Sequence, residues 1–343
     1  MERLMKAWEI GPKSGISGLR LVERPAPRPG PGEVLVDVVA AGLNYRDLMV
    51  LDGKYGNNLP ETRVPLADGV GRIAALGEGV SGWEVGQRVV APHFVSWIDG
   101  PFAMAAFGRD LGSTLDGWLA GQLVLPAAAL VAVPDSLSDA SAATLAVVGG
   151  TVWHALVAFG EAGPGSLVLA QGTGGVSIFT LQLAKALGCS MAITSSSEEK
   201  LARCRAMGAD YAINYRERPD WAAALLEASG GRGADVVVDT LGFPALGETV
   251  AACAVNARIG TVGALAGSPQ APVGVSQGLL IARNITIKGV ASGSRAMLVR
   301  AMEATAASGN QMEVCRSFAF ADAPAAFEHL ASGAHFGKVA ITT

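Results

Sequence analysis

The sequence predicts an α/β protein in which a doubly wound parallel sheet is inserted into a β-rich domain. Three observations carry the expectation. Residues 1–133 read as short strands and turns with little between them. From Pro134 to residue 296 short apolar strands alternate with helical stretches. Inside that alternation, Leu167-Val168-Leu169-Ala170-Gln171 breaks into Gly172-Thr173-Gly174-Gly175, and a helical pattern follows at once. Strands without helices favour a β-rich fold, and strand–helix alternation favours a parallel sheet. The expected domains are 1–133 with 297–343, and 134–296.

The elements follow in order. Val34–Ala40 is a β-branched run after the Pro/Gly-rich turn 25–32. Val70–Leu76, Arg88–Val90 and Leu119–Leu125 are further short strands, punctuated by Gly77, Gly79, Gly82 and Gly86. Asp139–Val148 and Thr151–Phe159 read as helices. The parallel strands are Leu167–Ala170, Met191–Thr194, Tyr211–Asn214, Asp235–Asp239, Arg258–Val262 and Ile285–Val290. Helices Ile178–Leu187, Glu198–Met207, Trp221–Ser229 and Leu246–Ala254 lie between them. The last segment reads as a helix, a strand over Cys315–Phe320, a second helix and a final strand over Lys338–Thr342.

Composition narrows the function classes. Half of the 343 residues are hydrophobic and 16% are charged, which supplies large buried cores and argues against disorder. The net charge of −4 and the lack of a basic run give no nucleic-acid footprint. No uninterrupted apolar run reaches the ~18 residues of a membrane span, and no secretory h-region follows Met1. Cys189, Cys204, Cys253 and Cys315 stand far apart without a CxxC, so the expected setting is a reducing cytoplasm.

The glycine turn carries the chemistry. A buried strand, a tight turn and a helix start in that order make a pyrophosphate site, because free N–H groups and the helix dipole face the anion. Ser177 stands where the fingerprint places a third glycine. The next strand ends in Thr194-Ser195-Ser196-Ser197, with no carboxylate at its tip to hold ribose hydroxyls. Hydroxyls tolerate a 2′-phosphate and Lys200 can neutralise it, which favours NADP (NADPH) over NAD. Ser196 with Glu199 also matches a capping box, with Lys200 solvated.

A second constellation is Gly42-Leu43-Asn44-Tyr45-Arg46-Asp47, followed by Asp52-Gly53-Lys54-Tyr55-Gly56. By itself it reads as a helix start, with Asn44 as its cap and Asp47 as a turn cap or partner of Arg46. With Pro65-Leu66-Ala67-Asp68-Gly69-Val70-Gly71, Gly86-Gln87-Arg88-Val89, Gly149-Gly150-Thr151-Val152-Trp153-His154, Gly208-Ala209-Asp210 and His335-Phe336-Gly337-Lys338-Val339, it resembles the medium-chain dehydrogenase/reductase superfamily. Within that superfamily the pattern is similar to the zinc-free, quinone-oxidoreductase-like branch.

The resemblance implies a Rossmann domain set into a GroES-like catalytic domain. It implies cofactor contacts from Asn44, Thr151, Gly172, Thr173, Gly174, Gly175, Val176, Ser195, Ser196, Lys200, Tyr215, Gly263, Leu265, Phe336 and Lys338. Asn44, Tyr45, Asp47 and Tyr55 are the candidate catalytic residues, the tyrosines as hydrogen-bond donors to a developing oxyanion. Zinc-dependent relatives carry Cys where this chain has Asn44, His-Glu at Ala67-Asp68, and a third ligand near Val147. His93, His154, His329 and His335 form no i, i+4 pair, so no metal is expected. His93 reads equally as a cleft residue and as a buried, satisfied histidine.

The implied reaction is hydride transfer between NADPH and a quinone or α,β-unsaturated carbonyl. Zinc-free alcohol oxidation or carbonyl reduction, and NADPH binding with a structural or regulatory duty, are the alternatives. A small-molecule substrate and a homodimer are the expected partners.

Overall fold

The computed structural model describes residues 3–56, 59–267 and 274–343. The chain forms two compact units. The first comprises residues 1–150 and 293–343, and the second residues 151–292. Both junctions differ from the expected ones. The helical stretch after Pro134 belongs to the first unit, so a change of rhythm in sequence does not mark the boundary.

The first unit begins with strands β1 (Leu4–Glu9), β2 (Arg20–Pro25) and β3 (Glu33–Leu43), then helix α1 (Tyr45–Leu51). Strands β4 (Asp68–Leu76), β5 (Arg88–Val90), β6 (Gln122–Pro126) and β7 (Val131–Ala132) follow, then helices α2 (Asp139–Ala143) and α3 (Ala146–Val152). The second unit carries a π-helical turn (Trp153–Phe159), then β8 (Leu167–Gln171), α4 (Gly175–Ala186), β9 (Ser190–Ser195), α5 (Glu198–Ala206) and β10 (Tyr211–Asn214). It continues with α6 (Trp221–Ala228), β11 (Ala234–Asp239), α7 (Leu246–Ala251), β12 (Cys253–Thr261), α8 (Gln277–Ala282) and β13 (Thr286–Gly289). The chain returns to the first unit with α9 (Arg295–Ala307), β14 (Val314–Ala319), α10 (Ala323–Ala331) and β15 (Lys338–Thr342).

In the second unit, six parallel strands run in the order β10-β9-β8-β11-β12-β13. This is the doubly wound order, with its switch point between β8 and β11. Every residue of β8 is buried, as expected of a central strand covered on both faces. The helix expected over 246–254 stops at Ala251, because Cys253 already belongs to β12.

In the first unit, a seven-stranded sheet runs β14-β15-β3-β4-β5-β7, with β6 also paired to β3. Strands β1 and β2 form a separate antiparallel pair that the sequence pattern does not announce. Val34, Val36 and Val38 alternate inward along β3, each worth roughly 1.5–3 kcal/mol of burial. Near the end of β3, Gly42 passes the carbonyl of Ala143 so closely that an added Cβ would lie 2.5 Å from its oxygen. Only glycine fits there, and the next two residues lead into Asn44.

Gly42→Ala should therefore cost about 1–3 kcal/mol through overpacking. Gly163→Ala, where a Cβ meets nothing within 4 Å, should stay within about 0.5 kcal/mol of the parent. Urea midpoints with unchanged slopes would establish both.

Candidate active site

The nucleotide turn lies at the carboxyl edge of the parallel sheet. Gly172 adopts φ 77°, a left-handed conformation that disfavours other residues, and its N–H donates to Thr194 O at 2.8 Å. A Cβ there would meet no atom within 4 Å, so the turn presents an open backbone face. Gly174 is the N-cap of α4, whose first N–H groups have no carbonyl in their own helix to bond. Ser177 is buried and donates Oγ–H to Gln171 O at 2.6 Å. The serine tolerates the place of the third glycine by bonding α4 back to the end of β8.

The neighbouring strand ends converge on the same edge. Ser195 closes β9, and its Oγ accepts from Ser197 N at 3.3 Å. The cap of α5 is Ser197, accepting from Lys200 N at 3.3 Å. The expected Ser196–Glu199 box does not form: the cap is Ser197, one residue later. Tyr215 N donates to Ser195 O at 3.1 Å, and its side chain is 43% exposed. Leu265, half-exposed, follows Gly263 beyond β12 and donates N–H to Thr240 O at 3.0 Å. Thr240 Oγ in turn donates to Gln171 O at 3.1 Å, across the switch point. Thr151 is buried beside Ser292, with the hydroxyls 3.5 Å apart. This edge fits a dinucleotide: an open glycine turn, a helix N-terminus and hydroxyls at the tip of β9.

The first unit holds a buried polar cluster. Lys338 begins β15, Asn44 follows β3, and Asp68 begins β4. Lys338 Nζ donates to Asn44 Oδ1 at 2.6 Å and to Asp68 Oδ2 at 3.0 Å. Asn44 Nδ2 donates to Asp68 Oδ2 at 2.9 Å, and Val147 N donates to Asp68 Oδ1 at 2.6 Å. Lys338 is 3% exposed and Asp68 0%. Asn44 stands at the N-cap of α1, but its side chain serves this triad. Asp47 makes the cap from the other direction, its Oδ2 accepting from Asn44 N at 2.8 Å. Phe336 is buried two residues before the lysine.

From Asp47 the polar chain continues. Arg46 Nη1 donates to Asp47 Oδ1 and to Leu111 O, both at 3.1 Å. Its Nη2 forks onto Asp110 at 3.1 and 3.2 Å. His93 Nε2 lies 2.9 Å from Asp110 Oδ1 and 3.3 Å from the Tyr55 hydroxyl. The guanidinium of Arg46 sits 4.5 Å over the Tyr55 ring. Tyr45, by contrast, is 50% exposed at the first position of α1. Of the four catalytic candidates, Asn44, Asp47 and Tyr55 join one network, and Tyr45 stands at its solvent side.

Burial and pairing set the charges. Burial pushes Asp110 up, but His93 and Arg46 overcome it and hold the carboxyl below its usual range. Burial works against the Arg46 charge, yet Asp110, Tyr55 and Asp47 raise its pKa above the ordinary value. Burial pushes Tyr55 up to about 12 against the pull of Arg46, so it stays a protonated donor at neutral pH. Burial also raises Asp47, against Arg46 and the Asn44 N–H.

Comparison with known proteins places this geometry. The "Zinc-binding dehydrogenase" family model matches residues 175–307, and the "Alcohol dehydrogenase GroES-like domain" model matches residues 30–135. A zinc-type alcohol dehydrogenase-like protein of Schizosaccharomyces pombe is 38% identical over 332 residues, covering 96% of each chain. An acryloyl-coenzyme A reductase of Sulfurisphaera tokodaii is 32% identical over 304 residues, covering 85% of this chain and 86% of its own. The crystal structure of an NAD-dependent alcohol dehydrogenase superposes with a TM-score of 0.89 at 31% identity, covering 99% of this chain and 100% of that one. The chain belongs to the medium-chain dehydrogenase/reductase superfamily, a family of oxidoreductases that use a nicotinamide cofactor.

The family model's zinc does not fit these residues. Both oxygens of Asp68 already accept from Lys338, Asn44 and Val147. The Asn44 oxygen is engaged by the same ammonium, whose charge repels a divalent cation. Among the described residues, no group of three or more His, Cys, Asp or Glu is placed to hold a metal. Sequence reasoning misses Asp110 altogether, because no motif contains it. The available signal was Arg46, a cation on a short helix that needs an anionic partner wherever it is buried.

Lys338→Met should destabilise the chain by about 3–5 kcal/mol, since it leaves Asp68 buried without its counter-ion. Lys338→Met with Asp68→Asn should cost less than the sum of the single changes, read by denaturant titration. Asp110 gives the pH dependence. Its folded pKa is depressed, so its stabilisation is full above the unfolded carboxylate value and is lost as pH falls through the folded one. The stability gap between the parent and Asp110→Asn should therefore shrink on acidification through the carboxylate range.

Proposed function

We propose that the protein is a zinc-independent, NADPH-dependent oxidoreductase that delivers hydride to a quinone or an α,β-unsaturated carbonyl. The observation that carries this reading is the Lys338 ammonium fixed between Asn44 and Asp68. An ammonium has three N–H donors, and the described protein partners take two of them. The remaining donor of a buried cation suits a ligand oxygen that gains charge. Fixed, desolvated donors of this kind stabilise an oxyanion most effectively.

The cofactor supplies the hydride when bound. The glycine turn Gly172–Val176 holds its pyrophosphate. Ser195, Ser196, Lys200 and Tyr215 meet the adenosine 2′-phosphate, and Gly263 and Leu265 border the nicotinamide. Thr151 in the second unit, and Asn44, Phe336 and Lys338 in the first, are the further residues that would contact the cofactor. Holding donor and acceptor in near-attack geometry supplies much of the rate. The acryloyl-coenzyme A reductase relative supports this substrate class, since an acryloyl thioester is an α,β-unsaturated carbonyl. The alcohol dehydrogenase neighbour supports a second reading, zinc-free alcohol oxidation. The exposed edge strand β13 offers a pairing edge that supports a homodimer.

The test is a comparison of NADPH and NADH oxidation on quinones, enones, saturated ketones and alcohols, with and without chelator. Chelator-resistant, NADPH-preferring turnover of enones or quinones is the expected result. Turnover restricted to alcohols selects the second reading, and cofactor binding without turnover defeats both. Lys200→Glu should raise the KM for NADPH several-fold and leave that for NADH nearly unchanged. Equal effects on both cofactors would remove the 2′-phosphate contact.

A further inference from the structure

The geometry points to His93, oriented by Asp110, as the positioning residue that makes Tyr55 the hydrogen-bond donor to the substrate carbonyl. The inference rests on the hydride-transfer reading above and names which tyrosine serves it. Both tyrosines lie in the same sequence motif, but only one is held. His93 and Asp110 sit on paired segments, with Leu111 N bonded to His93 O at 3.0 Å, and the imidazole stacks on Phe94 at 3.9 Å. These contacts pack the ring with Nε2 towards Asp110 and Tyr55.

That orientation decides where protons lie. Asp110 is an ionised acceptor, so its 2.9 Å contact with His93 requires a proton on Nε2. The same N–H faces the Tyr55 oxygen at 3.3 Å. Nε2 is then a donor to Tyr55, and the phenolic hydrogen is not shared with the imidazole. At rest the hydroxyl also faces Asp110. A substrate oxygen that gains charge competes with Asp110 for that hydrogen. As Tyr55 donates, charge accumulating on its own oxygen meets the His93 N–H and the Arg46 cation over its ring. The charged and titratable groups facing His93 and Tyr55 include Asp110 and Arg46, with Asp47 behind Arg46.

The experiment is a double-mutant cycle with NADPH and two probes, 2-cyclohexen-1-one and 1,4-benzoquinone. Tyr55→Phe is expected to lower kcat about 100-fold, the effect of removing one oxyanion donor. His93→Leu is expected to lower kcat at least tenfold with little change in the NADPH KM, and to cost nothing further in the Tyr55→Phe background. His93→Gln, whose amide retains an N–H donor, should recover most of the loss. Multiplicative losses in the double variant, or equal losses in His93→Gln and His93→Leu, would overturn the assignment.

A second readout needs no turnover. The chain has four tyrosines, so the carbon-13 ring resonance of Tyr55 is assigned by its disappearance in Tyr55→Phe. It should move in His93→Leu and return towards the parent position in His93→Gln. An unmoved resonance defeats the positioning role even where the chain reduces neither probe. Absence of turnover with a shifted resonance defeats only the hydride-transfer reading.

Discussion

The ion pair of Lys338 with Asp68 is the constraint on which the first unit turns. Both groups are almost wholly removed from water, which costs several kcal/mol per ion. The cost is recovered only if the lone pairs of the carboxylate are well used. Asp68 meets that condition through three donors from three separate stretches of chain: the end of the protein, the residue after β3, and the backbone of α3. A buried pair of this kind adds little net stability compared with an apolar replacement. What it adds is a penalty for every arrangement that separates its members.

Sheet register delivers the members. Val339 pairs with Leu43, and Gly42 pairs with Asp68, across the adjacent strands β15, β3 and β4. Lys338, next to Val339, and Asn44, next to Leu43, therefore lie at the same end of three adjacent strands as Asp68, which sits opposite Gly42, two residues before Asn44. A slip of one residue in either ladder would turn a charged side chain to the opposite face. The bulge in β14 opposite Lys338 and Val339 absorbs one residue and lets the ladder continue beyond it. Gly42 allows the end of β3 to pass Ala143, and the strand then runs on through Leu43 to Asn44.

The sequence makes some of this legible and hides the rest for definable reasons. The glycine turn is local: strand, turn and helix start are contiguous, so residues 167–187 declare themselves. Strand alternation likewise predicts the parallel sheet. The Lys338 triad is not local, since its members are 294 and 270 residues from the lysine. Only the ordered motifs of a known family bring them into one argument, and those motifs point to a lysine near the cofactor without its partner Asp68. The Arg46–Asp110 fork is less visible still, because Asp110 lies in a loop whose composition carries no period. The displaced cap at Ser197 shows a finer limit. Three consecutive serines offer three possible caps, and the backbone path out of β9 selects among them.

The charge balance of the two groupings bears on the proposed chemistry. Lys338 and Arg46 face Asp68, Asp47 and Asp110, so the cluster without His93 carries one more carboxylate than cation. The donors Lys338 Nζ and Tyr55 Oη both sit in a poorly hydrated setting, where the reorganisation needed to stabilise a charged oxygen is small. The donors are also anchored differently. Lys338 is fixed by strand register, while Tyr55, which follows a seven-residue helix, is fixed by a guanidinium and an imidazole. Strand register cannot adjust to a ligand, but a hydroxyl beside Asp110 can turn. A rigid cation with a rotatable hydroxyl can meet oxygens at slightly different positions, which suits the carbonyl reduction proposed above for acceptors of more than one shape.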